Sequence, residues 1–233
     1  TRTIEFRGLK MTQLELIELI QQHHPGMGHK AIRSGLNRAQ NDYCARTDLM
    51  KKTYTQTSTA GQRYYALDED ILRIIKVQIN DVDIPRLIGN PIIDDDEWDG
   101  ETGLTASSSS SNDRYWYEDV DRIGIVEKVV NAVTRDGKTS NYQSISEVKE
   151  MRIHAISQAT DFTSSMIFSS ELPKQFHEAL VNKVISDVYL IPPNKDMDSH
   201  KIFYTKYMDF VKSGRAYARS HRIESATIRP VYF

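Results

Sequence analysis

The chain has one cysteine, Cys44. No disulfide can therefore form within it, and its stability must come from packing or from assembly. It has no apolar run near the ~18 residues that suggest a membrane span, and its first residues, TRTIEFRGLK, lack the continuous apolar stretch of a signal peptide. The expectation is a soluble protein, made in a cytoplasm, with no membrane partner. Charge of one sign is missing too: 30 basic against 32 acidic residues leave a net charge of −2, so any contact with nucleic acid or anionic lipid must use a local patch. Neither phosphate-binding glycine pattern, G-x-x-x-x-G-K-[ST] or G-x-G-x-x-G, occurs, nor does the nucleophile elbow G-x-S-x-G.

What remains is a polar but foldable composition. Hydrophobic residues make up 39% and charged residues 27% of 233 positions, enough for one large domain or a domain carrying an insertion. Thr12 and Glu15 have the spacing of a capping box, and Leu14, Leu16, Ile17, Leu19 and Ile20 follow as a broad stripe that stops at His23-His24-Pro25-Gly26. Ile32, Leu36, Ala39 and Tyr43 recur every three to four residues and predict a second helix over 29–45, making an N-terminal helical hairpin within 1–49. From Tyr54 the pattern becomes β-branched and alternating: YTQTST, RYYAL and LRIIKVQIN read as a β-meander, with a further short strand near Pro85. RYWYED, RIGIVEKVVNAVT and EMRIHAIS add strands, and Asp136-Gly137 is a hairpin turn. A β-rich subdomain is expected over 50–169. After Leu172-Pro173, Phe176, Leu180, Val184 and Val188 mark a helix. A final helix capped by Asp196 or Asp198 carries Ile202, Phe203, Tyr207, Phe210, Val211, Gly214 and Ala218 on its stripe. These C-terminal helices, 170–221, are expected to pack with the N-terminal pair, and 222–233 to form an extended tail. The fold class is α+β: a helical bundle from both ends of the chain, a central inserted antiparallel β-rich subdomain and the tail.

The candidates for chemistry yield no catalytic site. Asp94, Asp95, Asp96, Glu97, Asp99 and Glu101 are hard oxygen donors, but starting an EF-hand loop at Asp95 puts Ala106 where the twelfth-position glutamate belongs. With five consecutive serines they read as an exposed loop over 94–113. His23, His24, His29, His154, His177, His200 and His221 form no two-histidine helical motif, and nothing in NDYCAR activates Cys44. Tyr115, Trp116 and Tyr117 beside Arg114 fit a strand with one face in the core better than a base-stacking platform. No catalytic residue, cofactor or metal is expected.

The C-terminus says more. Ile223, Ile228, Arg229, Pro230, Val231, Tyr232 and Phe233 place sizeable apolar groups on a segment too short for its own core. It either folds back on its own domain or adds to a sheet edge of another polypeptide. Lys201, Lys206, Lys212, Arg215 and Arg219, with Arg222, could form a basic face on the last helix, which keeps a nucleic-acid-binding module open as an alternative function.

Four stretches, MTQLELIELIQQ, YTQTSTAGQRYYALDEDILRIIKVQIND, ELPKQFHEALVNKVISDVYL and HKIFYTKYMDFVKSGRAYAR, occur in an order that resembles the head-to-tail adaptors of tailed bacteriophages, the head-completion, neck or ring connector proteins. The middle stretch departs from many of those proteins in having Asp68 after Leu67, and the 94–113 insertion is this chain's own. The resemblance implies a structural virion protein without catalytic turnover, sited at the neck. It would form a ring, expected to hold twelve copies, below the portal protein and around transient double-stranded DNA. It also implies a tail segment docked on the portal, a downstream tail or neck protein as partner, and a part in genome ejection.

Overall fold

The computed structural model describes residues 11–88, 114–135, 138–192 and 195–223. Among these residues the fold is α+β, with four α-helices and two sheets. The chain divides into two compact units, 1–50 with 157–233, and 51–156.

The first unit is helical: α1 (Gln13–His23), α2 (His29–Thr47), α3 (His177–Val188) and α4 (Met197–Ile223). The capping box starts α1. Glu15 N donates to Thr12 Oγ1 at 3.4 Å, while Thr12 N donates to Glu15 Oε2 at 2.7 Å. The next free amides are also used, Gln13 N by Phe168 O at 2.7 Å and Leu14 N by Met166 O at 3.0 Å. Asp196 is the residue that caps α4, its Oδ1 accepting from Asp198 N at 3.0 Å and Ser199 N at 3.3 Å. The apolar stripes meet in a core that includes Leu16, Ile17 and Ile20 of α1, Ile32, Leu36 and Tyr43 of α2, Leu180 and Ile185 of α3, and Tyr207 and Val211 of α4. Two close approaches depend on glycine. A Cβ on Gly35 would lie 3.2 Å from Val184 Cγ1, and one on Gly214 would lie 2.4 Å from Tyr43 Oη.

The expected β-rich region ran to residue 169, but the segment after 156 belongs to the helical unit. Its backbone is irregular, and polar side chains of α2 satisfy several of its groups. Asn37 Oδ1 accepts from Phe162 N at 2.8 Å, and Gln40 Nε2 donates to Thr160 O at 2.9 Å. Ser170 Oγ donates to Gln40 Oε1 at 2.6 Å. Asn37 and Gln40 lie three positions apart, on one side of the helix. Where this loop dips into the interior, at Ala159, Phe162 and Ser170, its main-chain groups need such partners.

The second unit contains both sheets. Strands β1 (Lys51–Thr57), β8 (Glu150–Ser157), β3 (Ile71–Ile79) and β4 (Val82–Ile84) lie side by side in that order. In the other sheet β6 (Arg122–Arg135) lies between β2 (Tyr64–Ala66) and β5 (Arg114–Asp119), and β7 (Lys138–Ser144) also pairs with it. The meander expectation is therefore corrected. β1, β2 and β3 do not pair in sequence, because β1 takes its antiparallel partner from far along the chain, with Tyr54 opposite Ile153, and β2 joins the second sheet through β6. The strand expected through Pro85 stops at Ile84, and what continues is a single parallel bridge between Arg86 and Trp116. Core side chains come from both sheets, among them Ile74, Val77 and Ile153 from one and Tyr65, Trp116 and Ile125 from the other. Gly124, opposite Tyr117, leaves room for the ring: an added Cβ would sit 2.2 Å from Tyr117 Cζ. Arg135 pairs with Lys138 at the end of the β6–β7 hairpin; the Asp136-Gly137 turn itself lies outside the described residues.

Candidate interaction surfaces

α4 runs to Ile223, so the helix takes in residues 222 and 223, which the sequence pattern assigns to the tail. The physical reason is local, since ARSHRI contains neither glycine nor proline to stop a helix. The other tail residues singled out, Ile228, Arg229, Pro230, Val231, Tyr232 and Phe233, lie outside the described residues, as does the whole of the acidic and serine-rich stretch 94–113.

Lys201, Lys206, Lys212, Arg215 and Arg219 are all exposed on α4, but they do not share one face. At 3.6 residues per turn, Lys201, Lys212, Arg215 and Arg219 fall within roughly 60° of one another, while Lys206 points roughly 120–180° away. Acidic neighbours also offset the charge. Lys201 Nζ lies 3.9 Å from Asp198 and Lys212 Nζ 3.0 Å from Asp209, and Lys206 Nζ sits 5.1 Å above the Phe203 ring. Arg215 ties two helices together, its Nε donating to Arg46 O at 2.7 Å and so satisfying a carbonyl in the last turn of α2. What is left is a short, partly neutralised basic strip.

Behind that surface, α2 and α4 are joined by further polar groups. Tyr207 Oη donates to Asp42 Oδ2 at 2.6 Å, and Asp42 also accepts from Arg46 Nε at 2.9 Å. Burial, with the Asp42 carboxylate adding to it, pushes the Tyr207 phenol well above its ordinary range, and burial does the same to Tyr43. Neither phenol is an acid at any working pH. The described histidines are dispersed. His24 is buried against Tyr189 at 4.6 Å between ring centroids, and its titration is lowered by burial and by neighbouring His23.

The sheet surface holds an arrangement that motif reading missed. Thr53 Oγ1 lies 3.0 Å from His154 Nδ1, His154 Nε2 lies 2.8 Å from Gln78 Oε1, and Gln78 Nε2 donates to Asp83 Oδ1 at 2.7 Å. This chain of hydrogen bonds crosses β1, β8, β3 and β4, one residue from each. Since Gln78 donates to Asp83, its oxygen faces His154 and calls for a proton on Nε2, leaving Nδ1 to accept from Thr53 when the ring is neutral. Burial, then the Lys76 charge, lowers the His154 titration, with Asp83 opposing and Arg152 adding to the shift.

A second missed feature is a buried ion pair. Arg114 and Glu127 are 4% and 0% exposed and face each other across β5 and β6, with Arg114 Nε donating to Glu127 Oε1 at 2.8 Å. Ser146 Oγ donates to Glu127 Oε2 at 2.9 Å. The sequence offered only an arginine before aromatics and a glutamate among valines. Pairing them needs the strand register.

Among the described residues no group of three or more His, Cys, Asp or Glu is placed to hold a metal ion, and no helix is long and apolar enough to cross a membrane. In comparisons with known proteins, the model of the family described as SU10 adaptor protein matches residues 15–224. No curated protein matches the chain.

Proposed function

From the premise that this chain belongs to the SU10 adaptor protein family, a family of phage head-to-tail adaptors, we propose that it forms a ring beneath the portal after genome packaging. It is a phage adaptor, a structural protein whose partners are portal and tail proteins in general terms and whose place is the virion neck. Copies pack side by side in a ring of twelve matching the portal, the lumen passes double-stranded DNA, and residues 224–233 dock on the portal as an added strand. The observation that carries this is the family match, which spans both compact units. A head-to-tail contact repeated about a closing rotation makes a ring, and the partly neutralised basic strip on α4 suits a wall past which DNA must slide, because many strong phosphate contacts would hold it.

The test is deletion of 224–233. The shortened chain should keep its helical and sheet circular dichroism and its thermal transition but no longer co-sediment with purified portal. Undiminished portal binding by the deletion would refute the assigned role of the tail.

A further inference from the structure

The two most exposed large apolar side chains among the described residues are Ile88, 100% exposed, and Val120, 95% exposed. Both belong to the same end of the β unit. Trp116 N donates to Pro85 O at 3.1 Å and Leu87 N to Trp116 O at 2.7 Å, so 85–87 runs parallel to β5 and leads Ile88 toward the β5–β6 turn. Val120 sits in that turn, between Asp119 and Arg122, which pair across the strands.

The turn is costly as built. Val120 has a φ of 44°, a left-handed value that a β-branched residue rarely adopts. The comparable two-residue turn between β3 and β4 uses Asn80 and Asp81 at φ 48° and 63°, residues that tolerate this conformation. The chain thus has a relaxed solution in one hairpin and a strained, solvent-exposed valine in the other. Strain at an exposed side chain that packs against nothing in its own unit points to use elsewhere.

Around this tip the charge is acidic. Glu118, Asp119 and Asp121 flank Val120 in sequence, and Leu67 N donates to Asp121 O at 3.1 Å, which brings the exposed Asp68 and Glu69 to the same end. Two cations offset part of this group: Arg86, 3.0 Å from Glu118, and Arg122, 3.4 Å from Asp119 and 3.9 Å from Asp121, which leaves five carboxylates against two guanidinium groups. An apolar point in an acidic collar repels DNA phosphate and anionic lipid, and complements a pocket with a basic rim.

We propose that the β5–β6 tip is a docking knob, with Val120 and Ile88 entering an apolar pocket rimmed by lysine or arginine on the structural protein that joins the neck from the tail side. This rests on the adaptor reading above. It adds which end of the β unit faces the tail and what chemistry the partner must present.

Complementation of a phage lacking this gene tests it, with electron microscopy to count tails on DNA-filled heads and immunoblotting of purified heads for the adaptor. Val120→Asn should raise the urea midpoint of the isolated protein, because the strain is relieved, and leave the adaptor on heads, yet cut the tailed fraction by roughly tenfold or more, as loss of a buried anchor does. Val120→Ile should keep tailing, and Asp68→Lys with Asp121→Lys should lose it. Normal tailing by Val120→Asn would overturn the proposal. So would loss of the Val120→Asn adaptor from heads, which would put the tip on the head side. Wild-type protein absent from heads would instead sink the adaptor reading itself, and this inference with it.

Discussion

Gly214→Ala sets two known effects against each other. In an exposed helix the change gains about 1 kcal/mol of helix propensity. Here the new methyl would lie 2.4 Å from Tyr43 Oη, 2.9 Å from Thr47 Cγ2 and 3.1 Å from Tyr43 Cζ. The tyrosine cannot easily retreat. It is fully buried, its ring lies 5.7 Å from Phe176 and 6.2 Å from Tyr207, and its hydroxyl donates to Phe210 O at 3.1 Å. Overpacking of this kind costs about 1–3 kcal/mol, and breaking the Tyr43 bond adds about 1 kcal/mol. The net expectation is a destabilisation of about 1–3 kcal/mol, read as a lower urea midpoint at unchanged slope. Tyr43→Phe removes the atom at 2.4 Å, so Gly214→Ala should cost at least about 1 kcal/mol less in that background, a coupling that a double-mutant cycle isolates. A stabilising Gly214→Ala, or one with equal effect in both backgrounds, would refute the close packing of α2 and α4.

Other expectations follow from the same contacts. Phe176→Ala removes a ring packed 5.7 Å from both Tyr43 and Tyr217 and should cost about 3–5 kcal/mol in urea unfolding; a loss under about 1 kcal/mol would place Phe176 outside the core. Glu127→Ala leaves the buried Arg114 charge with only the exposed Glu147, 3.6 Å away, and should cost up to about 3–5 kcal/mol, whereas replacing both Arg114 and Glu127 by apolar residues should recover most of it; equal losses would mean the pair is not buried. His24 and His154 both titrate below their ordinary value of about 6.5. The unfolded chain therefore binds protons that the folded one refuses, and stability should be full above about pH 6.5 and fall as the pH drops below it. A His24→Gln, His154→Gln double variant should flatten that slope, and an unchanged slope would assign the acid sensitivity to other groups.

Local signals made the helices legible. The Thr12–Glu15 capping box, the Pro25-Gly26 break and the four-residue recurrence of Phe176, Leu180 and Val184 each act within a turn or two, and α1, α2 and α3 start and stop close to where those residues put them. Strand existence was legible for the same reason, through alternation in YTQTST and RYWYED. Strand partners were not. Nothing near Tyr54 announces Ile153, roughly a hundred residues on, and a sheet's register is chosen by the side chains that share its buried face. The missed interactions, Arg114 with Glu127 and the line from Thr53 to Asp83, are cross-strand pairs visible only once that register is known. The segment after β8 was misassigned because Asn37 and Gln40 look like solvent-facing residues of α2 until their bonds to 159–162 are seen. The basic strip shows the reverse error. Counting cations along α4 overstated a face that Asp198 and Asp209 partly cancel and that Lys206 does not join.

The most direct measurement is electron microscopy of purified portal mixed with the full-length protein. The account predicts an added ring, one copy for each of the portal's subunits, with residues 224–233 seated on the portal and the β5–β6 tip turned toward the tail side. A portal that gains no ring, or a ring whose C-terminal segments lie within their own subunits, would contradict it.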